Sequence, residues 1–306
     1  MKISAIDIGT NSIRLLNTTI EKGQITGGEK QLEMTRIGEG VNETGRLSPA
    51  AIERSLDALR VFHEQAKAYG SEHIYAMATS AVRDASNRAE FLLRAEREVG
   101  LTIDVLSGEE EAEVGYLGVL AGQGDFEGNI LVIDVGGGST ELIVGDKRHI
   151  LFGHSIDMGA VRMTGKHIKK DPPSNGEINA VRKDIRGLVR PMVDIIEQGA
   201  PVRAVGIGGT ATTLGAIQLK MEIYDRARIQ KCVVDLSSIE GMVKRFKSMP
   251  LDQRREIQGL QPKRADIILS GAMIIEEVLT AVGIDQLHIS DWDNLEGYLM
   301  KKHLKG

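Results

Sequence analysis

The apolar residues of the N-terminal part are spaced in two ways. Short runs predict strands, and longer stretches with a period of about 3.6 residues predict helices. The predicted strands are residues 2–8, 12–20, 24–33, 73–79 and 101–106, and the predicted helices are residues 49–69, 87–99 and 108–121. The first helix has clear limits, since Ser48 suits the N-cap, Pro49 the first helical position and Gly70 the end. This order of elements is typical of one mixed α/β unit.

The same order begins again after a glycine-containing connector at residues 122–128. The predicted strands of the second part are residues 129–135, 140–146, 148–156, 202–208 and 286–290. Its predicted helices are residues 158–168, 175–198, a helix from Thr210, 237–247, 265–282 and a terminal helix. The pattern therefore indicates two copies of one unit, and we expect a cleft between them.

One motif occurs in both copies. Residues 6–15, IDIGTNSIRL, match residues 133–142, IDVGGGSTEL, at a constant offset of 127 positions. A repeat of that length is too long for a solenoid unit and is about the length of a domain. We therefore predict an α/β fold with two domains, residues 1–124 and 125–306. Each domain is expected to hold a mixed five-stranded sheet with helices.

The composition fits such a fold and excludes several other classes of protein. Of the 306 residues, 42% are hydrophobic and 26% are charged, and the formal net charge is −5. Bulk attraction to nucleic acid or to a membrane surface is therefore not expected. Cys232 is the only cysteine, which excludes a disulfide framework and a thiolate metal cluster. The N-terminus lacks the features of a signal peptide and no apolar run approaches a membrane span, so we expect a cytoplasmic protein.

One segment departs from the acidic balance of the chain. Between Arg162 and Arg190 lie eight basic and three acidic residues, a local net charge of +5. A basic segment in an acidic protein suits a polyanionic ligand, but an ordinary solvated helix face gives the same pattern. From charge alone, the solvated face is the favoured interpretation.

Both copies place glycine directly after a strand, where glycine is costly to order. Glycine permits a positive φ and a close approach of backbone to ligand, and successive amides in such a turn form a concave anion site. The hydroxyls of Ser12, Ser139 and Thr140 would add donors. Asp7 and Asp134 end the preceding strands, where a carboxylate can hold Mg²⁺ beside a bound phosphate.

A third glycine turn, VGIGGTATTLGAI at residues 205–217, follows another apolar strand and leads into a predicted helix. Gly208 and Gly209 precede Thr210, where helix amides and a hydroxyl suit an anion. The spacing is not the dinucleotide fingerprint, and the chain has no Walker A lysine motif. The three turns together indicate anion binding.

These turns resemble the phosphate-binding signature of the actin, hexokinase and Hsp70 ATPase superfamily. Within it, the chain resembles the exopolyphosphatase and guanosine pentaphosphate phosphohydrolase family in its short, two-domain form. The matching stretches are AIDIGTNSIRLL, MATSAVRDASN, LSGEEEAEVGYLGV, VIDVGGGSTELIVG, IDMGAVRMT, VGIGGTATTL and RADIILSGAMII. The resemblance implies two ribonuclease H-like (actin-like ATPase) domains facing across a cleft. One departure is Leu295, which stands where the family usually has arginine.

The glycine turns and two carboxylates are the predicted binding groups. The expected phosphate-binding residues are Gly9, Thr10, Asn11, Ser12, Gly136, Gly137, Gly138, Ser139, Gly208, Gly209 and Thr210. Asp134 and Glu141 flank the triple glycine on adjacent strands, where their carboxylates would share one Mg²⁺, and the family implies such a site. Asp7 is a further candidate ligand. The alternative for Glu141 is a solvent-facing strand residue, and Arg14 occupies the matching place in the first copy.

Three consecutive glutamates follow a predicted strand and supply a candidate base. Ser107 and Glu110 fit a capping box, and the glutamate before Glu110 is expected to be exposed. Glu111 shares its helical face with Gly115 and Gly118, so we expect little side chain over its carboxylate, which would suit a general base for water. The family pattern Glu-Glu-Ala, whose second glutamate is catalytic, matches Glu111.

The resemblance makes Arg83 the phosphate clamp, whereas an ordinary surface arginine is favoured without it. We predict Mg²⁺-dependent hydrolysis of terminal phosphoanhydride bonds, with Glu111 deprotonating water and Arg83 gripping phosphate oxygens. The expected substrates are inorganic polyphosphate, from which orthophosphate leaves processively, and guanosine pentaphosphate. The basic segment would hold the rest of a polyphosphate chain.

Two alternatives stay open at this point. The first is a non-catalytic sensor that binds guanosine tetraphosphate, guanosine pentaphosphate or polyphosphate. The second is an ATP-dependent small-molecule kinase of the same superfamily, which the Glu-Glu-Ala context disfavours. The expected partners are these phosphorylated ligands and a second copy of the chain in a homodimer.

Overall fold

Strands and helices alternate along residues 1–124 and 126–303, which the computed structural model of this chain describes. The strands are β1 (Lys2–Ile8), β2 (Ile13–Glu21), β3 (Gln24–Glu33), β4 (His73–Ala78), β5 (Ile103–Val105), β6 (Asn129–Val135), β7 (Thr140–Gly145), β8 (Ile150–Ile156), β9 (Pro201–Ile207), β10 (Val233–Asp235) and β11 (Gln286–Ile289). The α-helices are α1 (Val41–Thr44), α2 (Pro49–Tyr69), α3 (Ser80–Asp84), α4 (Arg88–Arg94), α5 (Gly108–Gln123), α6 (Ala160–His167), α7 (Asn175–Gln198), α8 (Gly208–Gln218), α9 (Arg226–Ile229), α10 (Leu236–Ser248), α11 (Leu251–Arg255), α12 (Ile268–Val282) and α13 (Asn294–His303). A π-helical turn, Ala95–Val99, and a 3₁₀ turn, Pro262–Arg264, complete the regular structure. Among the described helices, none is long and apolar enough to cross a membrane.

The chain forms two compact units. Unit 1 comprises Met1–Ala121 together with the described residues from Asn294 on, and unit 2 comprises Gly122–Asp293. The predicted domain boundary after residue 124 stays a prediction. Helix α13 nevertheless groups with unit 1, although it follows unit 2 in the sequence.

The sheet of unit 1 has the order β3-β2-β1-β4-β5. Strands β1, β2 and β3 are antiparallel neighbours, whereas β4 and β5 run parallel to β1. Side chains alternate between the two faces of a strand. In β4, Ala76 and Ala78 join the core that contains Leu56 of α2, and Met77 between them packs in a second cluster with Tyr298 of α13. Helices therefore cover both faces of this sheet.

Unit 2 repeats this topology and adds one strand. Its sheet has the order β10-β11-β9-β6-β7-β8, so β8-β7-β6-β9-β11 corresponds strand for strand to the sheet of unit 1. The prediction of two five-stranded sheets is therefore wrong for unit 2, which has six strands. The added β10 is three residues long with a single buried position, Val234, and pairs antiparallel with β11. A strand that short carries no alternating pattern for the sequence to reveal.

The long predicted elements are confirmed with small shifts at their ends. Ser48 caps α2 by accepting a hydrogen bond from the Ala51 amide at 3.2 Å, and Gly70 ends that helix with a φ of 84°. The predicted helix 87–99 is α4 continued by the π-helical turn, and Gly100 ends it with a φ of 78°. The sequence analysis did not predict the short helices α1, α3, α9 and α11. Each spans four or five residues, which is too short for helical periodicity.

Helix α13 lies against α5 at a glycine contact. A Cβ added to Gly297 would lie 1.6 Å from the Val114 carbonyl oxygen and 2.7 Å from the Gly118 amide nitrogen. Glycine at this position therefore allows two helix backbones to approach closely.

The Gly297→Ala variant is expected to destabilise unit 1 by about 1–3 kcal/mol, because its methyl group overpacks this contact. Hydrogen exchange followed by mass spectrometry should show faster exchange in α13 and α5. The control is Gly187→Ala in α7, where an added Cβ meets nothing within 4 Å. That variant should be stabilised by about 0.5–1 kcal/mol because alanine favours a helix interior. Equal protection of α13 in Gly297→Ala and in the wild type would contradict the expectation.

Candidate active site

The two matching glycine turns have the same backbone geometry. The Gly9 amide donates to the Ser12 carbonyl oxygen at 3.0 Å, and the Gly136 amide donates to the Ser139 carbonyl oxygen at 3.0 Å. A Cβ on either glycine would lie 3.2 Å from that serine oxygen. Neither glycine has a positive φ. A positive φ, which glycine would permit, is therefore not used at either position, and the close approach of the serine carbonyl oxygen is what favours glycine there.

The start of α6 binds the carbonyl oxygens of the triple glycine. The hydrogen bonds run from Ala160 N to Gly136 O at 2.9 Å, from Val161 N to Gly137 O at 2.9 Å and from Arg162 Nε to Gly138 O at 2.7 Å. Gly159 permits this approach, since an added Cβ would lie 2.3 Å from the Gly137 oxygen. In the described chain, the amides of Gly137, Gly138 and Ser139 have no hydrogen-bond acceptor. The turn therefore keeps three successive donors for an anion.

In the first glycine turn, residues 9–12, the backbone carbonyl oxygens are bound by a different segment, which contains Arg36 and Gly38. The Arg36 amide donates to the Asn11 carbonyl oxygen at 3.0 Å, and the Gly38 amide donates to the Thr10 carbonyl oxygen at 2.9 Å. For the amides of residues 10–12, the described residues provide no acceptor. The Thr10 hydroxyl lies 2.9 Å from the Ser80 hydroxyl, and both side chains are buried. The Thr10 hydroxyl therefore joins the turn to α3, while its amide has no acceptor among the described residues.

The third turn is the start of α8. Gly208 is the first helical residue and has a φ of 73°, a left-handed backbone conformation that favours glycine. A Cβ at this position would lie 2.3 Å from Asp134 Oδ1, so that carboxylate lies beside the helix N-terminus, which stabilises negative charge. The Thr210 hydroxyl donates to the Val135 carbonyl oxygen at 3.0 Å. The proton of the Thr210 hydroxyl is therefore engaged within the protein, which leaves the amides of the first helical turn as the candidate donors for an anion.

Sequence reasoning missed Arg264 at this turn. A Cβ on Gly209 would lie 2.0 Å from Arg264 Nη1, so the guanidinium lies directly against the glycine backbone. The available signal was the stretch RADIILSGAMII, which begins with this arginine and was assigned no role. Arg264 therefore places a guanidinium at the third glycine turn.

Asp134 and Glu141 are directly opposite each other in the β6–β7 ladder, so their side chains share one face of the sheet. Both side chains are buried, and Glu141 accepts a hydrogen bond from the Ser155 hydroxyl at 2.7 Å. The solvent-facing interpretation of Glu141 is therefore wrong. In unit 1 the matching pair is Asp7 and Arg14, whose Nη2 lies 2.5 Å from the Asp7 carboxylate. A guanidinium thus neutralises Asp7, the weaker of the predicted metal ligands.

This carboxylate pair fits Mg²⁺. The ion prefers oxygen ligands and commonly uses one or two carboxylates, with phosphate oxygens and water completing the shell. Two buried carboxylates on one face, Asp134 and Glu141, supply that donor set. The described residues contain no cluster of three or more His, Cys, Asp or Glu that would enclose a metal ion, so the remaining ligands would be substrate and water.

Arg83 and Glu111, predicted for separate roles, form one ion pair in unit 1, in which Glu111 is buried and Arg83 is partly buried. Arg83 Nη1 donates to Glu111 Oε2 at 2.7 Å and to the Leu106 carbonyl oxygen at 3.1 Å. Helix α3 carries the arginine, and the first turn of α5 carries the glutamate. The pair fixes the carboxylate in one orientation.

Glu111 is 6% exposed, which corrects the expectation of an uncovered carboxylate. Gly118, taken as a sign of open space, packs against α13 at Gly297. The capping box is confirmed, because the Ser107 hydroxyl accepts from the Glu110 amide at 3.1 Å and the Glu110 carboxylate accepts from the Ser107 amide at 3.0 Å. The preceding glutamate is exposed, as predicted. Of the three glutamates, Glu111 alone is buried.

Comparison with known proteins identifies the family of this chain. The model of the Ppx/GppA phosphatase family matches residues 19–305. The chain belongs to the Ppx/GppA phosphatase family. It is 33% identical to exopolyphosphatase 2 of Mycobacterium tuberculosis, with 97% of each chain covered.

A second curated relative and a solved structure also match this Ppx/GppA chain. It is 30% identical to a guanosine-5'-triphosphate,3'-diphosphate pyrophosphatase of Aeromonas hydrophila, over 97% of this chain and 58% of the relative. The crystal structure of the Aquifex aeolicus Ppx/GppA family member superimposes with a TM-score of 0.82 at 32% identity, over 100% of this chain and 98% of the other. The predicted two-domain, actin-like α/β fold is thereby confirmed.

Half of the basic side chains in the basic segment of this family member are paired within the protein. Four of its eight basic side chains bind acidic partners: Arg162 with Asp157, Lys166 with Asp184, Arg182 with Glu276 and Glu277, and Arg186 with Glu277. Burial raises the pKa of Glu276, and Arg182 opposes that shift. These contacts favour a structural helix face, and a polyphosphate-binding role for the segment stays a prediction.

The Gly159→Ala variant is expected to weaken binding of tripolyphosphate at least tenfold, because its methyl group displaces the carbonyls that orient the triple-glycine amides. Isothermal titration calorimetry measures the affinity, and circular dichroism verifies the fold. Gly165→Ala in the same helix is the control, since its Cβ meets nothing within 4 Å. Unchanged affinity in a folded Gly159→Ala protein would show that this turn does not bind phosphate.

Proposed function

We propose that this chain hydrolyses terminal phosphoanhydride bonds and releases orthophosphate from inorganic polyphosphate and guanosine pentaphosphate. The observation that carries the proposal is the ion pair of Arg83 with the buried Glu111, in a chain whose glycine turns present successive amides that have no acceptor among the described residues. Relatives named as an exopolyphosphatase and as a guanosine pentaphosphate pyrophosphatase support both substrates.

Glu111 is the proposed general base. Arg83 Nη1 donates to Glu111 Oε2 at 2.7 Å, which orients the carboxylate that would accept the proton of the attacking water. Arg83 donates through Nη1 to Glu111 and to the Leu106 carbonyl oxygen, and a guanidinium, with five N–H donors in a planar fork, suits phosphate oxygens as well. One arginine would then orient the base and stabilise charge on the phosphoryl group.

The glycine turns are proposed to hold the phosphates. The amides of residues 10–12 and 137–139 are donors without intramolecular acceptors in the described chain. Donors fixed before the reaction stabilise charge on a phosphoryl group without reorganisation, which is the main requirement of phosphoryl transfer. Arg264, against Gly209, would add a guanidinium at the third turn.

Asp134 and Glu141 are the proposed ligands of a divalent cation. Bound Mg²⁺ would offset the negative charge of the phosphates. The Ser155 hydroxyl, which donates to Glu141 Oε1 at 2.7 Å, fixes the orientation of this ligand.

The first test is phosphate release from long-chain polyphosphate and from guanosine pentaphosphate with Mg²⁺. The wild type should release phosphate, and Glu111→Gln should lower kcat by about 10²–10⁴-fold because the amide cannot accept the water proton. Binding should survive, since the glutamine side chain keeps the shape of the site. Glu109→Gln is the matched control, because Glu109 is an exposed member of the same triplet.

Three outcomes separate the candidate functions. Release that collapses only in Glu111→Gln supports the hydrolase. Tight binding of either ligand with no release by the wild type would replace the hydrolase with a sensor. Equal losses in Glu111→Gln and Glu109→Gln would remove Glu111 from the role of base.

The Glu141→Gln variant tests the cation ligands. We expect about a tenfold or greater rise in the Mg²⁺ concentration for half-maximal activity, because a neutral amide binds a hard cation more weakly. Asp157→Asn is the control, since Asp157 is an acidic residue of the same unit with a side chain 75% exposed. An unchanged Mg²⁺ requirement in Glu141→Gln would exclude Glu141 as a ligand.

A further inference from the structure

Two loops meet at the carboxyl edge of the unit 2 sheet, where ligands bind in open α/β sheets. Strands β9 and β11 are parallel neighbours, with Ile289 beside Gly206. Strand β9 leads to the α8 turn at Gly208, and β11 leads to Asp291. The Ser290 amide donates to the Gly206 carbonyl oxygen at 2.9 Å, which holds the two loops together.

Asp291 lies at the centre of a cluster of hydrogen-bonded polar side chains at this edge of the sheet. It is buried, and its carboxylate accepts from the Tyr224 hydroxyl at 2.6 Å and from Arg226 Nε at 2.6 Å. Burial, and then the Asp291 charge, raises the pKa of Tyr224, so the phenol stays protonated as a donor. The phenol also lies within reach of Thr212, whose hydroxyl donates to the Gly208 carbonyl oxygen at 2.8 Å. Tyr224 is thus linked to the start of α8 through Thr212.

Tyr224 and the residue before it in the sequence both expose apolar surface. Ile223 is 85% exposed, the highest value among the large hydrophobic side chains of the described chain, and Tyr224 is 45% exposed. The phenolic hydroxyl is fixed, so the ring has one orientation and loses little entropy on contact with a ligand. Exposed apolar surface that adjoins a site often belongs to it.

A nucleotide would suit both features of this edge. Its phosphates suit the amides at the start of α8, and its flat base suits the exposed apolar and aromatic side chains. An inorganic polyphosphate chain has no apolar part to cover Ile223. We propose that Ile223 and Tyr224 form a contact surface for the purine base of a nucleoside polyphosphate, and so determine preference for nucleotide over inorganic polyphosphate. This inference rests on the proposed function and names the part of the site that selects its substrate.

The test compares KM for guanosine pentaphosphate and for inorganic polyphosphate in Ile223→Ser. We expect about a three- to tenfold rise in KM for the nucleotide and no change for polyphosphate, because only the base loses an apolar contact. Tyr224→Ala should raise the nucleotide KM by about tenfold or more. Leu151→Ser in β8 is the control, since Leu151 is 57% exposed and lies at the other edge of the same sheet.

A binding measurement keeps this inference separate from catalysis. Calorimetry with guanosine pentaphosphate and tripolyphosphate, in the Glu111→Gln background, should show that Ile223→Ser weakens binding of the nucleotide alone. Equal affinities with and without Ile223→Ser, or equal losses for both ligands, would overturn the inference. Absence of turnover in the wild type would instead overturn the proposed hydrolase, while the affinities would still decide the role of Ile223.

Discussion

The conformation of each glycine turn depends on how its backbone carbonyl oxygens are bound. In unit 2 the start of α6 binds all three carbonyl oxygens of the triple glycine, and in unit 1 the segment of Arg36 and Gly38 does the same for Thr10 and Asn11. A peptide whose oxygen is fixed on one side presents its N–H on the other, so tying the carbonyls orients the amides. Gly38 and Gly159 allow this close contact, since a Cβ on either residue would overlap atoms of the turn that it packs against.

Duplication gave two units with one topology and different charges. Asp7 and Asp134 occupy the same register position, but the opposite residue is Arg14 in unit 1 and Glu141 in unit 2. The first pair is neutral as an ion pair, whereas the second concentrates two negative charges and suits a divalent cation. Unit 1 carries instead the Arg83–Glu111 pair. The proposed chemistry therefore assigns the base to one copy and the cation to the other.

Much of this fold could be predicted from the sequence because its long elements have strong periodicity and marked ends. The duplicated motif also led correctly to two sheets of related topology. Contacts between residues distant in sequence could not be predicted. The ion pair of Arg83 with Glu111, the position of Arg264 against Gly209 and the packing of α13 on α5 all depend on tertiary structure. For the same reason, the glycines beside Glu111 were taken for open space when Gly118 marks a helix contact.

The most direct measurement of the central claim is a ¹⁵N-resolved NMR titration with tripolyphosphate in the presence of Mg²⁺. The amides of Gly137, Gly138 and Ser139 and of residues 10–12 lack acceptors in the described chain, so binding should move their proton resonances strongly downfield. The amides of Ala160 and Val161 already donate to the turn and should move little. Saturable binding that leaves the amides of both turns unshifted would contradict the account.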